Sequence, residues 1–250
     1  MTQADDSDPD EVPRDDLTAV GADQSVGPVA AGVRLVRSLV SRAQRAEPAL
    51  TALLGRILDD HGQGSLRGLD FRLKALDSAT RKFATRLATG MSATHALVGL
   101  NDLVRFSVVA GDDQLAGTAA AVMLALQRGG CRNTRFTNRF VAESGYRGLN
   151  TNWQTRAGVV FEVQFHTPAS YAATVSTHRL YERLRGAGLS TEVRQNLQQA
   201  SDQVYARVSV PDDVARLDGP PTRPGRVELG SARRARGRAD QRRRGEEVQR

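Results

Sequence analysis

From Val159 to His166 every second residue is large and apolar. Val159, Phe161, Val163 and Phe165 fall on one face of an extended chain; Glu162, Gln164 and His166 share the other with Val160. Leu149 to Thr155 alternates as well, with Asn150, Asn152 and Gln154 on one face. Arg156-Ala157-Gly158 between these runs fits a hairpin turn, so the two strands are expected to pair antiparallel. A sheet covered on both sides reads as apolar on both faces. This hairpin keeps amides, a carboxylate and an imidazole on one of them. The chain is therefore expected to build a sheet with a core on one side and a polar cleft on the other.

The remaining elements are read around that hairpin. Val33, Val36, Leu39 and Val40 recur at helical spacing after Pro28, predicting a helix from Val29 to about Ala46. Pro48 is expected to open a second helix, Ala49 to about Asp60, ended by His61-Gly62-Gln63-Gly64. His61 reads as a helix-end residue with no chemistry. Leu69 to Lys74 alternates like a half-buried strand, with Leu69, Phe71 and Leu73 on one face. Ser78 reads as the N-cap of a helix running to about Leu87 and stopping near Gly90. Leu103 to Val109 is a second strand, entered through Asn101-Asp102. A helix follows from about Gln114 to Gln127, closed by Gly129-Gly130. Arg132 to about Phe140 is strand-like, and Gly145-Tyr146-Arg147-Gly148 is a glycine-bracketed loop. Helices from about Ala169 to Arg185 and Thr191 to Val208 complete the chain. This order predicts an α+β fold with a mixed β-sheet flanked by helices.

Charge is segregated along the chain. Residues 1–24 sum to −7 and residues 223–250 to +6, which leaves about +8 on the middle of a chain whose net charge is +7. An acidic segment with few large apolar residues cannot offset its chain entropy by burial. The expected organisation is a disordered acidic segment over 1–27, a folded domain over 28–208, and a disordered basic tail over 209–250. A basic middle suits an anionic ligand. The arginine-rich tail either touches nucleic acid or is simply solvated. The single cysteine, Cys131, excludes an internal disulfide, and no Cys/His metal spacing exists. No apolar run reaches membrane-spanning length and no signal peptide is evident, so the expectation is a cytoplasmic protein without a membrane partner.

Only two of the 35 basic residues are lysines, Lys74 and Lys82, and they lie eight residues apart. Where arginine fills nearly every cationic position, lysine marks a position suited to a compact ammonium that makes point contacts to phosphate oxygens. Arg72, Lys74, Ser78 and Lys82 are expected to converge on one point and grip a polyphosphate. Two carboxylates, Asp102 and Glu162, are expected to face that basic wall. Acids that hold a hard cation opposite phosphate-binding cations are the parts of Mg²⁺-dependent phosphoryl transfer.

These residues resemble the RelA/SpoT-type (p)ppGpp synthetases over about residues 65–185. Arg72-Leu73-Lys74-x3-Ser78-x3-Lys82 looks like that family's R-x-K-x-x-x-S-x-x-x-K motif, and Asn101-Asp102-Leu103-Val104-Arg105 like its D-L-x-G-x-R segment. Gly145 to Asn150 looks like G-Y-R-S-L-H, Glu162 to Thr167 like E-I-Q-I-R-T, and Thr177 to Glu182 like the His/Tyr helix that follows. The resemblance implies a nucleotidyltransferase-like fold and transfer of the β,γ-pyrophosphate of ATP to the 3′-hydroxyl of a guanine nucleotide, with Mg²⁺ as cofactor. Arg72, Lys74, Ser78 and Lys82 would bind the ATP phosphates. Asp102 and Glu162 would hold the metal, and Glu162 would also take the proton from the attacking hydroxyl. Tyr146 would stack on the acceptor base; Asn150, Gln164, Arg105, Arg135, Arg139 and His166 would complete the acceptor side.

The chain departs from the pattern at several points. The glycine of the Asp segment is absent, Arg105 falls two residues early, and Asn150 and His166 stand where the family has His and Arg. No counterpart of the hydrolase half is present, so the resemblance is to a short, synthetase-only form. The acceptor-side changes keep open a toxin-type pyrophosphokinase acting on adenine nucleotides or tRNA 3′ ends. A non-catalytic nucleotide- or RNA-binding module, or an interaction protein working through the charged ends, are the other readings, and a homo-oligomer is compatible with each. Tyr146 as a turn brace, His166 and His178 as structural histidines, Arg135 and Arg139 as solvated edge-strand charges, and Glu162 as half of an ion pair are the plainer alternatives at single positions.

Overall fold

The computed structural model of the protein describes residues 28–184 and 188–220. The expected acidic segment and the part of the expected tail beyond residue 220 lie outside the described residues. Five strands form one mixed sheet: β1 (Ser65–Arg67), β2 (Arg105–Val109), β3 (Arg132–Asn138), β4 (Leu149–Gln154) and β5 (Val160–His166). Their order across the sheet is β1-β2-β5-β4-β3. The central pair β2 and β5 is parallel, and the other pairings are antiparallel. The helices are α1 (Pro28–His61), α2 (Leu76–Ala88), α3 (Ala93–Val98), α4 (Leu115–Arg128), α5 (Pro168–Leu184), α6 (Thr191–Tyr205) and α7 (Asp212–Ala215). No helix among the described residues is long and apolar enough to cross a membrane.

The alternation in the central hairpin does what its period dictates. Phe161, Val163 and Phe165 of β5 are fully buried, as are Leu149 and Trp153 of β4; Phe106 and Val108 of β2 lie beside them. These side chains share one core with Val36, Leu50 and Leu54 of α1 and Leu115, Val122 and Leu126 of α4. Each such side chain contributes about 1.5–3 kcal/mol on burial, so this face holds the sheet together.

The opposite face is polar in register. One row across four strands is Arg105, Glu162, Asn152 and Arg135; the next is Ser107, Gln164, Asn150 and Thr137. Both rows follow from a two-residue side-chain period, which places residues i and i+2 of each strand on the same side.

The first third of the chain differs from expectation. Pro48 does not separate two helices; α1 runs unbroken for 34 residues with Pro48 inside it. A proline within a helix costs about 3 kcal/mol. Buried Val36, Val40 and Ala43 before it, and Leu50, Leu54 and Leu58 after it, hold both halves on the same core, while Pro48 itself is exposed. The expected strand over Leu69–Lys74 is also absent. Gly68, at φ 63°, turns the chain into a short 3₁₀ turn over Leu69–Phe71. Phe71 is 77% exposed rather than facing the core, and only Leu73 pairs, in a single antiparallel bridge to Val104. Alternation over so short a run was coincidental, and the edge strand is β1, a few residues earlier.

Ser78 is not a cap. Extended Ala75 precedes α2, and Ser78 is its third residue. Asp77 therefore supplies the acid in the first turn and complements the helix dipole. Arg81 and Lys82 fall in the second turn, away from the position where the dipole would oppose them. Residues 209–220, assigned by sequence to the tail, belong to the described fold: α7 buries Val214, whose carbonyl accepts from Asn138 Nδ2 at 2.8 Å.

Candidate functional site

Three backbone contacts bring the lysines to the carboxylates. Lys74 N–H donates to the Leu103 carbonyl at 3.0 Å, Arg105 N–H to the Arg72 carbonyl at 2.8 Å, and Glu162 N–H to the Val104 carbonyl at 2.9 Å. Residues 72–74 are thereby laid alongside 103–105, which in turn lie alongside β5. The Asn101 and Asn152 side chains add weak bonds of 3.4 Å from the Asp102 loop to β4.

Asp102 is the hub. Lys74 Nζ donates to its Oδ2 at 2.8 Å, and Lys82 Nζ, one turn further along α2 than Ser78, donates to its Oδ1 at 2.9 Å. The Asp102 side chain is 19% exposed. Burial alone would raise its pKa, but the two ammonium groups outweigh that and hold it at about 2. Burial pulls the Lys82 ammonium below its ordinary value, and Asp102 resists the shift.

Glu162 sits next to this cluster in a different electrostatic state. Burial pushes its carboxyl up, while the Arg105 guanidinium and a hydrogen bond from Gln164 pull it back. The Asp102 charge raises it further and Lys82 lowers it, so the two acids and the lysine act on one another. Gln164 lies on the same strand face two residues on. Arg105 pairs with Glu162 across the parallel strands.

The acceptor-side residues are placed less uniformly. Tyr146 Oη donates to Asn150 Oδ1 at 2.8 Å and lies 3.3 Å from His166 Nε2. Its ring makes edge contacts with His166 and Tyr205. Burial and nearby charge drive its hydroxyl pKa well above the usual tyrosine value. A Cβ on Gly148 would stand 2.4 Å from Tyr146 Oη, so only glycine lets the ring fold back there. Arg147 ties the same loop by donating to the carbonyls of Phe140 and Ala142. His166 is fully buried, against the expectation that it faces the acceptor. Burial, and the Arg105 charge after it, lower its pKa to about 4, and its Nδ1 lies 3.1 Å from Ser170 Oγ.

Arg72 makes contacts outside the Asp102 cluster. Its guanidinium pairs with Glu47 of α1 and donates to the Leu69 carbonyl. Glu47 is 5% exposed and was missed in the sequence. The signal was present: it is the lone acid on the stripe Ala43, Glu47, Leu50, Leu54. Arg135 and Arg139 are exposed at and beyond the edge strand β3; Arg135 is two strands from Glu162. Ser78 is half-buried on the α2 turn before Lys82. A groove of about 470 Å³ lies elsewhere, between residues 143–147 and α6, lined by Gln195, Gln198, Gln199 and Asp202. Its lining includes none of Lys74, Lys82, Asp102 and Glu162.

The donor set fits a hard cation in type. Among the described residues no group of three or more acidic, His or Cys side chains is gathered for a metal. A cation here would rest on Asp102 and Glu162 and be completed by phosphate and water oxygens, as is usual for Mg²⁺.

A scan against protein-family models matches none, and a search of curated proteins finds no match. Among solved structures the chain is similar to small alarmone synthetase 2 from Bacillus subtilis, at 13% identity and a TM-score of 0.48 over 68% of this chain and 92% of that one. It is similar to a GTP pyrophosphokinase family protein from Streptococcus pneumoniae, at 15% identity and a TM-score of 0.46 over 67% and 84%. It is also similar to the Type VI effector Tas1, crystallised with its immunity protein, at 18% identity and a TM-score of 0.45 over 72% and 95%.

Proposed function

We propose that the protein is a Mg²⁺-dependent pyrophosphokinase that moves the β,γ-pyrophosphate of ATP onto the 3′-hydroxyl of a nucleotide, with a guanine nucleotide as the acceptor. The observation that carries this reading is the meeting of both lysines of the chain on Asp102, with Glu162 close enough to interact with Asp102 and Lys82. Lys74 and Lys82 hold donor phosphate oxygens as point charges. Glu162 accepts the proton of the attacking hydroxyl; a base whose pKa is raised toward neutrality is better suited to that step than an ordinary carboxylate. Gln164 and Arg105 fix the orientation and charge of Glu162. A Mg²⁺ held by Asp102 and Glu162 would neutralise charge on the transferring phosphates. Tyr146 and Asn150 form the wall nearest the acceptor, with His166 supporting Tyr146 from behind. Arg72 contributes by fixing the loop that carries Lys74 to α1.

Purified protein incubated with γ-labelled ATP and, in turn, GDP, GTP, ADP, ATP and tRNA tests both reaction and acceptor. Label on an acceptor with matching AMP release is the expected result, lost in Lys74→Ala and Glu162→Ala variants that remain folded by circular dichroism. Label on ADP, ATP or tRNA in place of GDP or GTP moves the acceptor to the toxin-type reading. Salt-sensitive nucleotide binding with no AMP release overturns the enzyme reading in favour of a binding module.

A further inference from the structure

Both oxygens of Asp102 are taken. Oδ1 accepts from Lys82 at 2.9 Å and Oδ2 from Lys74 at 2.8 Å. The two ammonium groups come from different elements, one from Lys74, the residue after the bridge residue Leu73, and one from the second turn of α2. All three side chains are at most 21% exposed, so water competes little for these contacts. A divalent cation approaching Asp102 meets two positive charges in the places it would occupy. At a few ångströms that repulsion offsets much of what the carboxylate returns.

From this arrangement we propose that Lys74 and Lys82 form a clamp that withholds Asp102 from a divalent cation until a polyphosphate draws the lysines away. The proposal rests on the pyrophosphokinase reading for the identity of the polyphosphate. Each ammonium exchanges a carboxylate oxygen for a phosphate oxygen, so neither lysine is left unpaired in the half-buried site. The carboxylate is freed only when donor phosphates are present to share the cation. Cation and triphosphate thus bind with positive coupling, which in ordinary cases amounts to about 5- to 150-fold. The cluster is a gate against metal bound in the absence of donor.

Manganese, whose free ion gives a sharp six-line electron paramagnetic resonance signal, reports the clamp without any turnover. Wild-type full-length protein is expected to bind Mn²⁺ weakly when nucleotide is absent. Lys74→Met and Lys82→Met remove one jaw each and are expected to tighten Mn²⁺ binding about tenfold. Arg86→Met, which removes a charge near Lys82 that makes no contact with Asp102, separates general repulsion from the clamp and should leave affinity within about twofold. Adding Asp102→Asn to Lys74→Met should abolish the gain. The α,β-methylene analogue of ATP should bind wild-type protein in the presence of chelator, since the lysines need no metal to take phosphate. If wild-type protein binds Mn²⁺ alone as tightly as the folded lysine variants, or Arg86→Met tightens it equally, the clamp is refuted and the pyrophosphokinase reading stands. If the analogue binds under no condition, that reading fails and the clamp fails with it.

Discussion

Replacing Arg105 by Gln should raise the pKa of Glu162, and the direction follows from sheet register and charge. Arg105 and Glu162 are register partners on the parallel strands β2 and β5 and point to the same polar face. Neighbouring strands stand about 4.8 Å apart, which places the two side chains next to one another on that face. At an effective dielectric of about 20, unit charges about 4 Å apart interact by about 4 kcal/mol, and the interaction weakens in proportion as the separation grows. The Arg105 charge lowers the Glu162 carboxyl, so removing it moves that carboxyl further up. The same charge lowers His166, so the imidazole should rise as well.

Carbon-13 labelling of glutamate side chains follows the first titration, with Glu162→Gln assigning the resonance; proton spectra of the imidazole follow the second. Under the pyrophosphokinase reading the consequence has a definite sign. Glu162 must be ionised to accept a proton, so the acid limb of kcat/KM should move to higher pH in Arg105→Gln. Asp102→Asn supplies the opposite perturbation, because the Asp102 charge raises Glu162 and its removal should lower it. A Glu162 resonance that stays put in both variants would show that the carboxyl is not coupled to its neighbours, and the assignment of Glu162 as base would lose its physical ground.

Glu47→Ala leaves the Arg72 guanidinium without its carboxylate and should destabilise the fold by about 1–3 kcal/mol, seen as a lower Tm. The Glu47 pKa is depressed mainly by the Arg72 hydrogen bond, so this contribution is complete above the unfolded carboxylate pKa and disappears as pH falls through the folded value; the Tm difference should shrink in acid. His166 titrates at about 4 in the fold against 6.5 in the unfolded chain. The stability it contributes is complete above pH 6.5 and falls by about 3 kcal/mol as pH drops to 4, because the unfolded chain takes up the proton first. Denaturant melts of His166→Gln should show a shallower loss over that window, and an unchanged slope would contradict the assignment. Gly148→Ala puts a methyl against Tyr146 Oη and should raise the acceptor KM while leaving that for ATP within about twofold.

What the sequence made legible was whatever depends on period. Alternation in Leu149–Gln154 and Val160–His166 identified the central hairpin, its polar face and the row that holds Glu162 and Gln164. The lysine pair and Asp102 were legible as residue types at a spacing. Their contact was not, because it depends on a bridge between Leu73 and Val104, residues 31 apart in the chain. The same limit explains the errors. Leu69–Lys74 has the right alternation, but Gly68 turns the chain before a ladder can form. Pro48 is a strong local break signal, overridden by long-range burial on both sides of it. The buried pairing of Arg72 with Glu47 has a local trace, an acid on an apolar stripe, but no local signal names the partner.

The scarcity of lysine acquires a reason at Asp102. An arginine there would span both carboxylate oxygens with its planar fork, a two-point contact that a single phosphate oxygen replaces poorly. Two lysines divide the carboxylate between them, one oxygen each. Each contact is then a single bond that one phosphate oxygen matches. The charge balance of the half-buried site is kept whether the lysines face Asp102 or a donor. A chain that uses arginine almost everywhere else keeps ammonium groups where a partner must be exchanged, and places guanidinium groups where one is held, as between Arg72 and Glu47.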